Sequence, residues 1–230
     1  MHRDVAMSVY LNPHHKLDRD VAIGVTRSFA AAHIPSQSPR TMTLLHVDPF
    51  SASGIRSQRV LADEALRRAG IRVLAVAGDI DERAARATVA TLERTLRAGG
   101  AGGHFRGLVE AGAVRNVLKR CAGDTGNAAL AVCGDASTLL AAVESAIIAS
   151  AAAVAAPFAA LVIDLDPFGS VAPHLPAALA LAATAARRGI PTLLGVATFD
   201  VDQLRKCGGG TQWAKLGGAV WRAGTGEAAE

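Results

Sequence analysis

Short apolar runs alternate with segments of helical periodicity along most of the chain. The runs occupy residues 42–47, 72–77, 130–133, 161–165 and 191–197. Apolar runs of this length are typical of strands that are buried on both faces. Because strands that alternate with helices pair in parallel, the pattern predicts an α/β fold: a doubly wound, mostly parallel sheet with helices on both faces.

The helices between these strands are bounded by polar caps and glycines. The first helix is expected to begin at Arg19, behind a cap at Asp18. The turn after the first strand leads into one helix that runs to about Arg68. Further helices are expected to end at Leu96 and to span residues 108–121, 137–150 and 175–188.

Residues 161–170 carry the clearest chemical signal. Pro167 ends the predicted strand, because proline cannot donate a hydrogen bond to a ladder. Asp166, Phe168 and Gly169 then lie beyond the carboxyl end of that strand, where open α/β sheets bind ligands. The carboxylate can accept hydrogen bonds from an exocyclic amine, and the phenyl ring can stack on a planar base. A base-binding site and a plain turn rich in proline and glycine are about equally favoured.

The segment 48–56, which follows the first strand, is rich in small residues. Small residues let the backbone approach a ligand, and the helix that starts here offers free N–H groups. Gly54 is the only glycine of the segment, so the glycine patterns of dinucleotide sites and P-loops are absent. The segment therefore predicts a ligand loop of another kind.

Acidic residues also follow the second and third strands. Asp79 stands where βαβ units commonly hold ribose hydroxyls, whereas Asp81 is better placed as a helix cap. Asp135 can contact a ligand base or cap the next helix, and local spacing alone favours the cap.

Composition sets limits on the function. The chain has 230 residues, half of them apolar, and a net charge of +4 with a pI near 9.3. This size fits one large α/β domain or one domain with an appendage, and no linker separates two full domains. The charge permits a polyanionic partner without requiring one.

The cysteine and histidine spacing argues against a metal site. Cys121, Cys133 and Cys207 are far apart in sequence, and the adjacent pair His14-His15 is expected to be solvated. Scattered thiols without a signal peptide favour a reducing, intracellular and cytoplasmic location. The apolar stretch 146–163 contains Pro157, so it is interpreted as helix, loop and buried strand and not as a membrane span.

Five blocks of the chain occur in the order found in one known family. They are Leu11-Asn12-Pro13 with Asp18-Arg19-Asp20, Asp48 with Ser51-Ala52-Ser53-Gly54-Ile55-Arg56, Gly78-Asp79-Ile80, Gly134-Asp135-Ala136, and Asp164-Leu165-Asp166-Pro167-Phe168-Gly169-Ser170 with Pro173. Thr198-Phe199-Asp200 is a looser match. With these blocks, the chain resembles the tRNA guanine-26 N2-dimethyltransferases, which are Rossmann-like class I S-adenosylmethionine enzymes.

The resemblance implies a cofactor site and a catalytic set. It implies S-adenosylmethionine as cofactor, RNA as partner with tRNA as the favoured kind, and no metal. The catalytic set is Asp166, Pro167 and Phe168. The implied cofactor-binding residues are Arg19, Asp48, Ser51, Gly54, Arg56, Asp79, Asp135 and Ala136.

The resemblance also assigns roles within these sets. Arg19 and Arg56 would contact the cofactor, with its methionine carboxylate as one candidate group, and Asp79 would hold the ribose. Asp135 with Ala136 would meet the adenine, and Asp166 would receive the guanine N2 amine. At Asp135 this replaces the capping role that spacing favours.

The chain departs from the family pattern at several positions. Asp18 replaces an Asn, and Val171 replaces the first of two later prolines. About thirty residues follow Asp200, whereas family members carry a large C-terminal domain that helps to bind tRNA. The terminal hairpin of the sheet is expected to be truncated. Three alternatives are open for the missing domain: a second subunit or a homodimer replaces it, the substrate differs, or the protein is a degenerate remnant.

These observations predict three segments. Residues 1–40 form an N-terminal segment that contacts the cofactor, 41–200 a Rossmann-like methyltransferase core, and 201–230 a glycine-rich tail. The function favoured is S-adenosylmethionine-dependent N2-methylation of guanine in RNA. Two alternatives stay open: a non-catalytic descendant that binds a cofactor or partner, and an amino-methyltransferase for another substrate.

Overall fold

The sheet has six parallel strands among the residues that the computed structural model describes, which are 16–35, 42–99, 103–121, 126–150, 158–167 and 170–197. The strands are β1 (Met42–Asp48), β2 (Ile71–Asp79), β3 (His104–Glu110), β4 (Ala128–Cys133), β5 (Ala160–Leu165) and β6 (Thr192–Val196). They pair in the order β3-β4-β2-β1-β5-β6. This is the Rossmann-like α/β sheet that the alternation of apolar runs and helices predicts.

Helices cover both faces of this sheet. They are α1 (Lys16–His33), α2 (Ile55–Leu61), α3 (Glu64–Arg68), α4 (Glu82–Ala98), α5 (Val114–Cys121), α6 (Ala136–Ser150) and α7 (Leu175–Arg187). Short 3-10 turns at Ala111–Ala113 and Ala172–His174 precede α5 and α7. None of the helices in the described part of the chain is long and apolar enough to cross a membrane.

Alternate residues of the strands point to two separate cores. Leu45 and Val47 of β1 face the core that α5, α6 and α7 cover. Leu44 faces the other core, with apolar side chains of α1 to α4. His46 and Asp48 have the same parity as Leu44, so β1 sends polar side chains to the α2 side near its carboxyl end.

The packing of β2 against α6 is especially close. A Cβ atom at Gly78 would lie 2.5 Å from the Cδ2 atom of Leu139 on α6. The backbone of β2 and the Leu139 side chain can therefore lie this close only because position 78 has no side chain. This contact brings the start of α6 next to the end of β2, at Asp79.

Buried polar contacts stabilise the amino-terminal end of β2, a central strand of the sheet. Arg72, at 4% exposure, donates from Nε to the Gly126 carbonyl at 2.6 Å and from Nη2 to the Cys121 carbonyl at 2.7 Å. Asn127 accepts from the N–H of Val73 at 2.8 Å through its side-chain oxygen. The start of β2 is thus tied to the connection between α5 and β4.

The expected helix over 108–121 is wrong in its first part. Residues up to Glu110 belong to β3, which pairs with β4 at the edge of the sheet, and the helix begins only at Val114. Gly107 has a φ of 86°, and the pairing register shifts between Phe105 and Leu108. This irregularity hides the alternation by which a strand is normally recognised.

Two predicted helix boundaries are also wrong. The helix expected to run to Arg68 breaks into α2 and α3, because the Asp63 side chain accepts a hydrogen bond from the N–H of Leu66 at 3.0 Å and caps the second piece. The first helix begins at Lys16, so Asp18 lies inside it and is not its cap.

The other predicted elements are confirmed to within a few residues. β1, β2, β4, β5 and β6 contain or overlap the five apolar runs, and α4, α6 and α7 match the predicted helices. His14, His15 and Thr198-Phe199-Asp200 lie outside the described residues.

Candidate active site

Four strands end along the same edge of the sheet. β1 ends at Asp48 and β2 at Asp79, and the register sets Asp79 beside Cys133 at the end of β4. Asp166 directly follows β5. Because all these strands are parallel, their carboxyl ends lie together, which places the predicted acids along one rim.

The loop after β1 folds over the end of β2 and onto α4. The backbone N–H of Ser51 donates to the Gly78 carbonyl at 2.8 Å, and its hydroxyl lies 3.0 Å from the Thr88 hydroxyl. Thr88 in turn donates to the Ala52 carbonyl at 3.1 Å. These bonds hold the small-residue loop rigidly at the rim.

Gly54 is needed at the end of this loop for two reasons. Its φ of 72° lies in the left-handed region that favours glycine. A Cβ atom there would also lie 3.1 Å from Cγ2 and 3.2 Å from Cα of Thr88. The loop can therefore enter α2 and pass close to α4 only with glycine at this position.

Asp79 joins the two loops on either side of it. Its Oδ2 accepts from the N–H of Ala52 at 3.0 Å, and its Oδ1 accepts from the N–H of Asp81 at 2.9 Å. A carboxylate oxygen has two lone pairs, so each oxygen can accept one further hydrogen bond. The predicted contact with ribose hydroxyls is compatible with these two bonds.

Asp81 and Asp135 both cap helices. Asp81 accepts from the N–H groups of Arg83 and Ala84 at 2.8 and 3.1 Å at the start of α4. Asp135 accepts from the N–H of Thr138 at 2.8 Å, before α6. The capping that spacing favours is thus confirmed at both positions, while contact of Asp135 and Ala136 with adenine stays a prediction.

Arg56, on α2, bridges two acids of the β5 end. Its Nη1 donates to Asp164 Oδ1 at 2.8 Å, and its Nη2 forms a close ion pair with Asp166 Oδ2. The Arg56 side chain is 9% exposed, against 24% for Asp166. Burial alone would lower the pKa of Arg56, but the surrounding carboxylates, Asp164 first, outweigh burial and raise it.

Asp48 lies beside this bridge and is 1% exposed. Burial raises the pKa of Asp48 to about 8, and the carboxylate of Asp164 adds to the rise while Arg56 opposes it. The Asp48 Oδ1 atom has no hydrogen-bond partner within the described part of the chain. Asp48 is therefore protonated at neutral pH. Its Oδ1 atom is available for a hydrogen bond with a ligand at the rim.

His46 is linked to Asp48 through the hydroxyl of Ser57. Its Nδ1 lies 3.4 Å from the Ser57 hydroxyl, which also donates to Asp48 Oδ2 at 3.5 Å. Burial is the main cause that lowers the pKa of His46 to about 4, so the ring is neutral near pH 7. The cluster thus carries charge on Arg56, Asp164 and Asp166 only.

Arg19 lies in α1 and is 9% exposed. α1 is attached to α2 and α3 by ion pairs between Asp20 and Arg59 and, at 2.6 Å, between Arg27 and Asp63. The predicted contact of Arg19 with the cofactor stays a prediction.

The predicted catalytic segment is described in part. β5 ends at Leu165, as expected, and the buried Pro167 follows Asp166. Phe168 and Gly169 lie outside the described residues, so the expected stacking of Phe168 stays a prediction.

Several residues of the site were not predicted as such. Asp164, Ser57, His46 and Thr88 all contribute to it. For Asp164 a signal exists: an acid inside an apolar strand run will be buried, and a buried carboxylate needs a cation. No comparable signal identifies Thr88, since its role depends on the approach of α4 to the loop.

No group of three or more His, Cys, Asp or Glu side chains within the described ranges could hold a metal ion. The rim instead combines separate acids, one buried arginine and a tightly folded loop. Among parallel-sheet proteins such a rim is a common position for a nucleoside ligand.

Comparison with known proteins identifies the family. No curated protein and no solved structure matches the chain. The family model described as N2,N2-dimethylguanosine tRNA methyltransferase matches residues 3–212, which is nearly the whole chain and includes every residue of the rim. The chain therefore belongs to this family of methyltransferases that act on the N2 atom of guanine in tRNA.

Proposed function

We propose that the chain transfers a methyl group from S-adenosylmethionine to guanine N2 in tRNA, with Asp166 as the residue that receives the target amine. Family membership supports the reaction class. The observation that carries the proposal for the site is the position of Asp166, held by Arg56 on the same rim as Asp79 and the loop around Gly54.

The rim offers groups that fit this cofactor. When bound, the cofactor supplies an electrophilic methyl group on a positively charged sulfur. With Asp48 protonated, Asp164 and Asp166 carry two negative charges against one positive charge on Arg56, which favours a cation nearby. The unpartnered Oδ1 of Asp48 supplies a further polar contact.

In the proposed binding mode, residues at the ends of different strands contact different parts of the cofactor. Asp79 accepts from the ribose hydroxyls with the lone pairs that its backbone hydrogen bonds leave. Asp135 and Ala136, at the start of α6, meet the adenine. Ser51 and Gly54 line the loop that approaches the nucleoside, and Arg19 lies in the helix beside α2.

The chemical task of Asp166 follows from the nature of the target. The lone pair of guanine N2 is delocalised into the ring, so the amine is a weak nucleophile. Hydrogen bonds from the amine to Asp166 favour a more pyramidal nitrogen and aim it at the methyl group. Formation of the N–C bond would break the bond between the methyl group and the sulfur, which would leave as a neutral thioether, and the Asp166 carboxylate would accept the proton released from N2. Phe168 stacks on the base, which first leaves its RNA stack.

Replacement of the proposed catalytic acid tests this function. Asp166→Ala should lower kcat for methyl transfer to tRNA by at least about 100-fold, while cofactor affinity by calorimetry changes little. Asp81→Ala, which removes a cap at the same rim, serves as the control. Equal methylation by the wild type and the Asp166→Ala protein would refute the assignment.

A second subunit or a second copy of the chain as the source of additional tRNA affinity stays a prediction. Sedimentation of the protein with and without tRNA tests it, and a complex of one chain with one tRNA at full activity would reject it.

A further inference from the structure

We propose that Arg56 is a positioning residue, which orients the carboxylate of Asp166 toward the target amine and does not itself bind the cofactor. The inference rests on the proposed function, in which Asp166 receives the amine. It differs from the role that the family resemblance implies for Arg56.

The bridge matches the geometry of the strand. Asp164 lies in β5 and Asp166 directly follows the strand, two residues further on. Both carboxylates face Arg56, which contacts them from one side. The two terminal nitrogens of Arg56 reach one acid each. A planar guanidinium with its nitrogens in a fixed fork can span two such groups, which the single ammonium of lysine cannot do with the same directionality.

The two acids contribute differently to this bridge. Asp164 has a side-chain exposure of 11% and lies within β5, so it acts as a fixed anchor for one arm of the guanidinium. Asp166 has a side-chain exposure of 24% and lies just past the strand, where the chain leaves the sheet. Because Arg56 is anchored on Asp164 in the strand, it can fix the orientation of the Asp166 carboxylate, which lies beyond the strand.

Electrostatics argue against a cofactor carboxylate on Arg56. The guanidinium of Arg56 already has two carboxylates in contact, those of Asp164 and Asp166. The methionine carboxylate would bring another anion to a cation that is already overcompensated. Like charges that are close together repel each other, and the partial burial of this cluster strengthens that repulsion.

The first test separates positioning from cofactor binding. In Arg56→Gln we expect kcat with tRNA to fall by about 100-fold, because a small displacement of the acid is enough for such a loss. The calorimetric Kd for S-adenosylmethionine should stay within about threefold. Arg56→Lys should recover part of kcat, since it restores the charge without the fork.

The pH dependence gives a readout that a purely structural role would not move. Removal of the cation beside Asp166 raises the pKa of that carboxyl, so the acidic limb of the pH–rate profile should shift to higher pH in Arg56→Gln. Arg59→Gln is the matched control, because Arg59 lies on the same helix and pairs with Asp20 instead. Its profile should coincide with that of the wild type.

A double variant controls for the possibility that Arg56→Gln lowers activity only because the protein does not fold. Arg56→Gln leaves the buried Asp164 without its cation, which can destabilise the protein. The double variant Arg56→Gln with Asp164→Asn removes one charge of each sign, and its thermal midpoint shows whether it folds. A folded double variant should keep the cofactor Kd and the low kcat.

The pKa of Asp166 can also be measured directly, without an activity assay. Carbon-13 NMR of the aspartate carboxyls, with Asp166→Asn for assignment, should show the Asp166 midpoint at higher pH in the folded double variant than in the wild type. If the wild type binds cofactor but does not methylate tRNA, the proposed function fails, and this titration with the calorimetry still decides the role of Arg56. A tenfold weaker cofactor Kd in Arg56→Gln with an unmoved Asp166 midpoint, or a wild-type kcat in the folded double variant, would overturn the proposal.

Discussion

At the scale of single residues, the rim stores two ionisable groups in their neutral forms. Asp48 keeps its proton and His46 stays unprotonated near pH 7, because both are almost completely buried. Each therefore binds a different number of protons in the folded and unfolded protein, and each makes the free energy of unfolding depend on pH.

The two dependences have opposite signs. Between its usual pKa of 3.8 and about 8, folded Asp48 holds a proton that the unfolded chain has lost, so its contribution falls as pH rises. Between about 4 and its usual 6.5, His46 is protonated only in the unfolded chain, so its contribution rises with pH. The two slopes oppose each other below pH 6.5, and only the falling slope of Asp48 remains from there to about 8.

Asp48→Asn should remove the falling slope. We expect the stability of this variant relative to wild type to increase with pH between 6.5 and 8, by up to about 1.4 kcal/mol per pH unit. Urea unfolding at a series of pH values measures it, with the surface variant Glu93→Gln as control. Parallel curves for Asp48→Asn and the wild type would show that Asp48 is ionised in the folded protein.

Gly54 and Gly70 allow the two costs of a side chain to be separated. Both have φ near 70°, but a Cβ at Gly70 meets nothing within 4 Å, whereas one at Gly54 meets Thr88. Gly70→Ala should cost about 1 kcal/mol for the left-handed backbone, and Gly54→Ala about 2–3 kcal/mol. Equal costs in chemical denaturation would mean that the loop yields freely at Thr88.

At the scale of elements, the start of α6 combines a structural role with a predicted ligand role. The Asp135 side chain bonds both the N–H and the hydroxyl of Thr138, at 2.8 and 3.1 Å. A residue with both roles cannot be assigned by a single alanine replacement, since loss of the cap also disturbs the binding rim.

Two replacements at Asp135 distinguish the roles. Asp135→Ala should lower the free energy of unfolding by about 1 kcal/mol, and Asp135→Ser should restore most of it because serine caps helices well. If Asp135 also contacts adenine, calorimetry should show weaker cofactor binding in both variants. Wild-type affinity in the serine variant would limit Asp135 to capping.

At the scale of the whole molecule, the sheet is assembled from distant parts of the chain. Leu44 of β1 pairs with Ala160 of β5, and β2 lies between β1 and β4. Such non-local pairing closes long loops before the contacts form, which makes folding of parallel sheets slow. In the folded protein, buried polar contacts also join segments that are far apart in sequence.

Arg72 is the clearest of these ties. Arg72→Lys should lower the free energy of unfolding by about 1–3 kcal/mol, because lysine cannot serve both the Gly126 and the Cys121 carbonyl in the same geometry. The urea midpoint measures the effect, with the exposed Arg94→Lys as control. A midpoint equal to that of the wild type would show that the two carbonyls find other donors.

How much the sequence predicts depends on the range of the interaction. Asp79 and Asp166 could be located at the rim because buried apolar runs mark the ends of parallel strands. β3 was missed because the distortion at Gly107 breaks its pattern, and the break before α3 was missed although Asp63 is a normal capping residue. The pairing of Arg56 with Asp164 spans 108 positions, so no local signal could reveal it.

Asp79 illustrates what such linkage means for mutagenesis of this family. Its carboxylate connects the backbone at Ala52 with that at Asp81. An alanine at position 79 would therefore release two neighbouring loops at once, and a loss of cofactor binding would not by itself identify a ribose contact. Only cofactor analogues that lack one ribose hydroxyl, compared on the intact protein, can separate recognition from scaffolding at this position.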